Sequence, residues 1–182
     1  LNTVERMLSE GIASFERGSE HADSRAETIL TVCNSEFLKI EENSIDLVLT
    51  SPPYCTRIDY AVATSAELAL LGFQKKTDFA DLRDSLMGTT TVPSVTPSIS
   101  PVLGSTCISL LEKIGAHSSV SSNTYYLKNH IHYFSSLQKS IAEIHRVLKP
   151  QGIAAFVVQD SVYKDIHNDL PTIVAEMGQM LG

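Results

Sequence analysis

The six residues Ile45-Asp46-Leu47-Val48-Leu49-Thr50 form a short strand-like run that stops at Ser51-Pro52-Pro53-Tyr54. This junction restricts the fold more than any other stretch. Each proline has φ fixed by its ring and carries no N–H, so two in succession cannot continue a hydrogen-bonded ladder. A strand must therefore end at Thr50 and open into a stiff segment with free carbonyls.

The rest of the pattern places that strand in a wider order. Val4, Met7, Leu8, Ile12 and Phe15 recur at helical spacing, and Gly18 closes this segment. Residues 28–33 (Thr-Ile-Leu-Thr-Val-Cys) are β-branched and short, which predicts a buried strand. Thr64 and Glu67 have capping-box spacing before Leu68–Leu71 and Gly72, predicting a short helix. Nine of the eighteen residues from Thr89 to Thr106 are Ser or Thr and three are Pro, which reads as loop or insertion. A short helix is expected from Cys107 to Ile114, ending at Gly115. Ile131, Phe134, Leu137, Ile141, Ile144 and Leu148 make the cleanest helical stripe, stopped by Pro150 and Gly152. Ile153–Val158 is a second apolar strand, and a last helix starts near Pro171, with Met177 and Met180 as core residues.

Helices alternating with short apolar strands predict an α/β fold with parallel strands. At 182 residues, 43% hydrophobic, the chain suits one core rather than two. Ligands in such sheets bind beyond the carboxyl ends of the strands. The residues to examine are thus Asn34-Ser35, Ser51–Tyr54 and Gln159-Asp160-Ser161.

No apolar run is long enough for a membrane span and no secretory signal is visible, so a cytoplasmic location is expected. Cys33, Cys55 and Cys107 have no CxxC spacing, and no histidine pair has ligand spacing with an acid, so neither a disulfide framework nor a metal site is expected. The net charge of −7 is uneven: residues 1–60 carry −6, whereas residues 125–150 carry +3 together with His130, His132 and His145. The second region reads as a solvated helix face or as a local basic surface for a polyanion.

The segment Ile45–Tyr54 resembles the fourth motif of the amino-methylating DNA methyltransferases, which place Asp, Asn or Ser before Pro-Pro-Tyr. The Ser form is most similar to that of the cytosine-N4 enzymes. Arg146-Val147-Leu148-Lys149-Pro150-Gln151-Gly152 resembles the Leu-Lys-Pro-x-Gly turn before the fifth strand of S-adenosylmethionine-dependent methyltransferases. The resemblance covers about residues 28–60 and 131–182. It implies a Rossmann-like S-adenosylmethionine-dependent core with an incomplete sheet, interrupted at about 74–127 by an insertion that helps choose sequence. It also implies a DNA partner, a restriction-modification setting and a cofactor contact at Asn34 and Ser35.

An exocyclic base amine is a poor nucleophile because its lone pair is delocalised into the ring. Acceptors aimed at its hydrogens draw the nitrogen toward tetrahedral geometry. On the resemblance, the Ser51 side chain and the Pro52 carbonyl supply those acceptors, Pro53 stiffens the turn, and Tyr54 stacks on a flipped base. Carbon-5 cytosine methylation needs a thiolate, and in the family that performs it the cysteine directly follows a proline, whereas Tyr54 separates Pro53 from Cys55 here; Cys55 reads as a packed thiol. Arg57, Asp59 and Tyr60 follow on a cleft-facing loop and are candidate contacts to base or phosphate, with an Arg57–Asp59 ion pair as the alternative. Gln159 and Asp160 are further candidates for substrate contact.

The glycine-rich cofactor loop of that family is missing, since no Gly-x-Gly occurs anywhere in the chain. The expectation is a central piece of a longer enzyme with the loop upstream of residue 1, or one subunit of a split enzyme. Two other classes stay open: an RNA guanine-amine methyltransferase, and a non-catalytic subunit that binds DNA or a partner enzyme.

Overall fold

The computed structural model describes residues 29–55, 58–73, 76–89 and 96–182. The helix expected over residues 4–15 and the side chain of Arg57 lie outside the described residues. The chain divides into two compact units, Leu1–Val32 and Cys33–Gly182, and every regular element described below belongs to the second.

Strand β1, Ile45–Thr50, is followed by the short helices α1, Tyr60–Ala63, and α2, Ser65–Leu70, and by α3, Lys76–Ser85. A single 3-10 turn at Pro101–Leu103 leads into α4, Ser105–Ala116. A π-type turn at Ser122–Tyr126 starts the long helix α5, Leu127–Val147, which runs directly into β2, Leu148–Phe156. The hairpin β3, Ser161–Tyr163, and β4, Ile166–Asn168, precedes α6, Leu170–Gln179. Among the described residues no helix is long and apolar enough to cross a membrane.

β1 and β2 pair in parallel, as the long helical connection between them requires. Ile45 faces Leu148, but the next rung is Leu47 with Ile153. Residues 149–152 bulge out of the ladder between those rungs, with Gln151 at φ +68°. Lys149 clasps both Asp46 carboxylate oxygens at 2.8 Å. Gly152 is the only residue type that fits the bulge, because a Cβ there would sit 2.9 Å from the Lys149 carbonyl and 3.2 Å from that of Ile45. The Leu-Lys-Pro-Gln-Gly sequence thus makes a local excursion, and β2 begins five residues before the expected Ile153.

One core joins α4, α5 and α6. Cys107, Leu110, Leu111 and Ile114 meet Ile131, Phe134, Leu137 and Ile141, and also Leu170, Ile173 and Met177. α4 starts earlier than expected and continues through Gly115 to Ala116. Within the segment expected as an insertion, Leu103 and the inner face of α4 are part of this core. Met177 is fully buried, but Met180 is half exposed because it caps the last turn of α6. Phe156 and Val158 of the sheet region pack against the core. The opposite face of the two-stranded sheet, carrying Leu47, Leu49, Ile153 and Val157, is exposed.

Two local expectations are corrected. Ile29–Cys33 forms no strand and its side chains are bare. β-branched composition favours a pleated surface only where a neighbouring strand supplies hydrogen bonds, and among the described residues β1 pairs only with β2. The Thr64 hydroxyl makes no capping box with Glu67; it donates back to the Tyr60 carbonyl at 2.8 Å, because α1 occupies the turn just before it. The expected stop at Gly72 does form, at φ +92°.

The segment 34–44 lies along α5. Glu143 accepts from the Leu38 N–H at 2.9 Å, and Arg146 donates to the carbonyls of Leu38 and Ile40. The Asn43 and Ser44 N–H groups cap the helix by bonding the Arg146 and Val147 carbonyls at 3.0 and 2.9 Å. Hydrogen bonds from Arg146 and then from the Leu38 amide hold the Glu143 carboxyl down to about 2. Because this pKa is depressed, its contribution is present above the ordinary value of 4.5 and is lost as pH falls from there toward 2. The protection factor of the Leu38 amide, its exchange rate relative to the intrinsic rate at the same pH, should therefore fall across that window ahead of those of the α5 core amides, and Glu143→Gln should show the lower protection already at neutral pH.

Candidate active site

The site is assembled where β1 ends. The last rung is the Val157 N–H on the Thr50 carbonyl at 2.9 Å. One residue on, the Ser51 hydroxyl donates to the Val157 carbonyl at 3.1 Å. A hydroxyl has one hydrogen and two lone pairs. Once Val157 takes that hydrogen, Ser51 Oγ faces any incoming group as an acceptor. Ser51 is exposed, and Pro52 and Pro53 are half-buried.

The turn after Ser51 is gripped on several sides. The Tyr133 hydroxyl, rising from α5, donates to the Pro53 carbonyl at 2.7 Å. The Tyr54 N–H donates to the Tyr60 hydroxyl at 3.0 Å. Gly88, at φ +78°, backs the turn closely, since a Cβ there would lie 3.3 Å from the Tyr54 carbonyl and 3.7 Å from Pro53 Cβ. α5 also holds this glycine segment, because Asn129 Nδ2 donates to the Thr89 carbonyl at 2.7 Å, one helical turn before Tyr133. Among the described residues no donor reaches the Pro52 carbonyl. Tyr54 is 46% exposed.

Cys55 turns inward and is only 3% exposed. Burial pushes its thiol well above the ordinary cysteine range, and the neighbouring Asn168 amide offsets part of that shift. Cys107 is pushed up to about 12 by burial, with the Glu176 carboxylate adding to it. Neither thiol supplies a thiolate at neutral pH. Burial likewise raises the Tyr133 phenol, which therefore stays protonated as a donor.

The other sequence candidates are distributed around this turn. Asp59 accepts from the Val62 N–H at 3.2 Å, which starts α1, and is ion-paired with Arg83. Arg83 is thus a partner of Asp59; Arg57, considered for that pairing, lies outside the described residues. Tyr60 braces Tyr54, as above. Gln159 is exposed just beyond Val157, and Asp160 pairs with His167 of β4 at 3.1 Å. Asn34 and Ser35 lie on an exposed turn: Asn34 Oδ1 accepts from the Glu36 N–H at 2.9 Å, and the Ser35 hydroxyl meets that of Ser140 at 2.9 Å. Ser140 is seven residues from Tyr133, about 10 Å along the helix axis.

Four supports escaped the sequence reading: Tyr133, Gly88, Arg83 and the Val157 carbonyl. Tyr133 and Asn129 carry a faint signal, since they sit four residues apart and flank the apolar stripe of α5 with polar tips. Nothing in the neighbourhood of Gly88 announces its role.

Comparison with known proteins finds similarity to type II methyltransferases. The chain is 37% identical over 76 residues to M.BsoBI of Geobacillus stearothermophilus, a match covering 42% of the chain and 15% of that protein. It is 28% identical over 171 residues to M.AvaI of Nostoc sp., covering 84% of the chain and 34% of that protein, and equally to M.AvaI of Anabaena variabilis. The chain spans about a third or less of the length of these relatives. No protein-family model matches, and no solved structure does.

Burial sets a reactivity order among the thiols. Cys33 is exposed while Cys55 and Cys107 are buried, so a thiol reagent at neutral pH should modify Cys33 and spare the other two until denaturant is added. Rapid modification of Cys55 in the native protein would contradict the packed-thiol assignment.

Proposed function

We propose that Ser51-Pro52-Pro53-Tyr54 receives the exocyclic amine of a DNA base, cytosine N4 being the favoured target, in an S-adenosylmethionine-dependent methyltransferase. The observation that carries this reading is the pairing of a Ser51 oxygen whose hydrogen is committed to Val157 with a Pro52 carbonyl, one residue away, that meets no donor among the described residues. An amine presents two hydrogens, and two preorganised acceptors on one stiff segment match them. Bonding both hydrogens localises the nitrogen lone pair and raises its nucleophilicity, and no reorganisation of the turn is needed at the moment of reaction.

Tyr54 supports the same reading through its half-exposed ring. A base drawn out of a duplex loses its stacking partners, and an aromatic platform returns roughly 1–3 kcal/mol. Gln159 and Asp160, just beyond the Val157 that orients Ser51, are proposed as contacts to the substrate. Asp59 and Tyr60 are assigned a supporting part, because their side chains hold α1 and the Tyr54 backbone. The segment 74–127 is proposed to contribute to sequence choice.

The described residues do not by themselves make a pocket for S-adenosylmethionine. Asn34 and Ser35, the proposed cofactor contacts, already spend a side-chain oxygen and a hydroxyl on Glu36 and Ser140. No strand forms at Ile29–Cys33 to present them. In this reading the rest of the cofactor site, including a glycine-rich loop, comes from a further polypeptide segment or a second subunit. What this chain contributes is the alignment of the amine.

The test is transfer of a labelled methyl group to duplex DNA by the chain together with the segment or subunit that completes the cofactor site, with the product base identified by mass. Tyr54→Ala should lower turnover by ~10- to 100-fold, as loss of one stacking platform implies, and Ser51→Ala should lower it at least as much. Rates unchanged by both substitutions would leave a non-catalytic binding subunit as the better description. Labelling of tRNA but not of duplex DNA would favour the RNA guanine-amine enzyme.

A further inference from the structure

The two carbonyls of the diproline are treated differently. That of Pro53 is bonded by a phenol from the middle of the longest helix, whereas that of Pro52 meets no donor among the described residues. Both rings fix φ, so the direction of each carbonyl is set by little more than the ψ angle of its own residue. In an extended proline segment successive carbonyls point about 120° apart around the chain axis. Fastening one of them to a rigid support therefore decides where the other points.

Tyr133 is built for that fastening. It is 1% exposed and packs edge-on against Phe134 with ring centroids 5.2 Å apart, so its ring has no freedom to swing away. Its hydroxyl approaches Pro53 from the α5 side. Gly88 excludes side-chain bulk behind the Tyr54 carbonyl, and the Tyr60 hydroxyl takes the Tyr54 N–H. The Ser51 hydroxyl hydrogen, the Pro53 carbonyl and the Tyr54 N–H are thus occupied, while the Pro52 carbonyl between them meets no donor among the described residues.

We infer that Tyr133 is a positioning residue that pins the Pro53 carbonyl to α5 and so turns the Pro52 carbonyl out toward the substrate amine. The inference rests on the reading of Ser51–Tyr54 as the amine-receiving turn. Tyr133 touches no substrate; it acts through the backbone of the turn. Removing its hydroxyl leaves the ring packing and the fold in place but frees the ψ angles of the diproline, so the two acceptors reach an aligned state less often. The loss then falls on the chemical step and not on substrate capture.

Three variants test this in the same methyl-transfer assay. Tyr133→Phe should lower kcat by at least ~10-fold while KM for DNA stays within ~2-fold, the pattern of lost alignment. Ile173→Ala, a buried core change on α6, should lower the melting temperature without lowering kcat, which separates positioning from general destabilisation. Infrared spectra of protein labelled with carbonyl-13C proline should show one amide band moving to higher frequency in Tyr133→Phe, reporting the released Pro53 carbonyl. Ser51→Ala distinguishes the two levels of failure. If Ser51→Ala abolishes transfer and Tyr133→Phe does not reduce kcat, the positioning role is overturned and the reading of the turn survives. If Ser51→Ala transfers normally, that reading falls and the inference falls with it.

Discussion

Helix α5 holds the described unit together through one row of polar contacts running along its length. Asn129 binds the Thr89 carbonyl, Tyr133 the Pro53 carbonyl, Ser140 the Ser35 hydroxyl, Glu143 the Leu38 amide, and Arg146 the Leu38 and Ile40 carbonyls. These residues fall three, four or seven apart and therefore share a side of the helix. Ile131, Phe134, Leu137 and Ile141 meanwhile face the core. One helix thus buries apolar surface and supplies donors and acceptors to loops that have no ladder of their own. A loop whose backbone groups are satisfied only by a helix inherits the rigidity of that helix. The Ser51–Tyr54 turn is one of these loops.

That arrangement accounts for how a turn so near solvent keeps a defined geometry. Its Ser51 hydroxyl, Pro53 carbonyl and Tyr54 N–H are each bonded to another element, and the supports are themselves fixed: Tyr133 is buried within the core, and Asp59, paired with Arg83, starts the helix that carries Tyr60. A group that is already paired has a fixed direction, so the donor and acceptor pattern offered to a ligand is decided before the ligand arrives. Ser51 shows this most directly, because the Val157 carbonyl fixes which half of its hydroxyl chemistry is on offer.

Much of this could be read in the residues and some could not. β1 and its stop at the diproline follow from propensity and from missing donors, and α5 follows from its apolar period. α6 follows from Pro171 at its start, and the structure adds the Asp169 cap, whose carboxylate accepts from the Thr172 N–H at 3.1 Å. The strand expected at 28–33 failed because strand propensity cannot report whether a pairing partner exists. The Thr64–Glu67 capping box failed because a preceding turn offered Thr64 a nearer acceptor. Tyr133 and Pro53 are 80 residues apart, and no local pattern encodes a contact at that distance. The β3–β4 hairpin, three residues a strand with Lys164 at φ +57°, is too short to produce an alternation that can be told from loop.

The exposed side of the β1–β2 pair has a thermodynamic consequence of its own. Parallel strands are ordinarily covered on both faces, yet Leu47, Leu49, Ile153 and Val157 meet water here, and Leu49 is 73% exposed. The hydrophobic gain that would normally secure these two strands is only half realised, so the junction that carries Ser51 is held chiefly from the α5 side. Anything that covers the bare side binds the folded strands and not the unfolded chain, and by mass action it stabilises them. The order of the turn is then a function of how fully that surface is occupied.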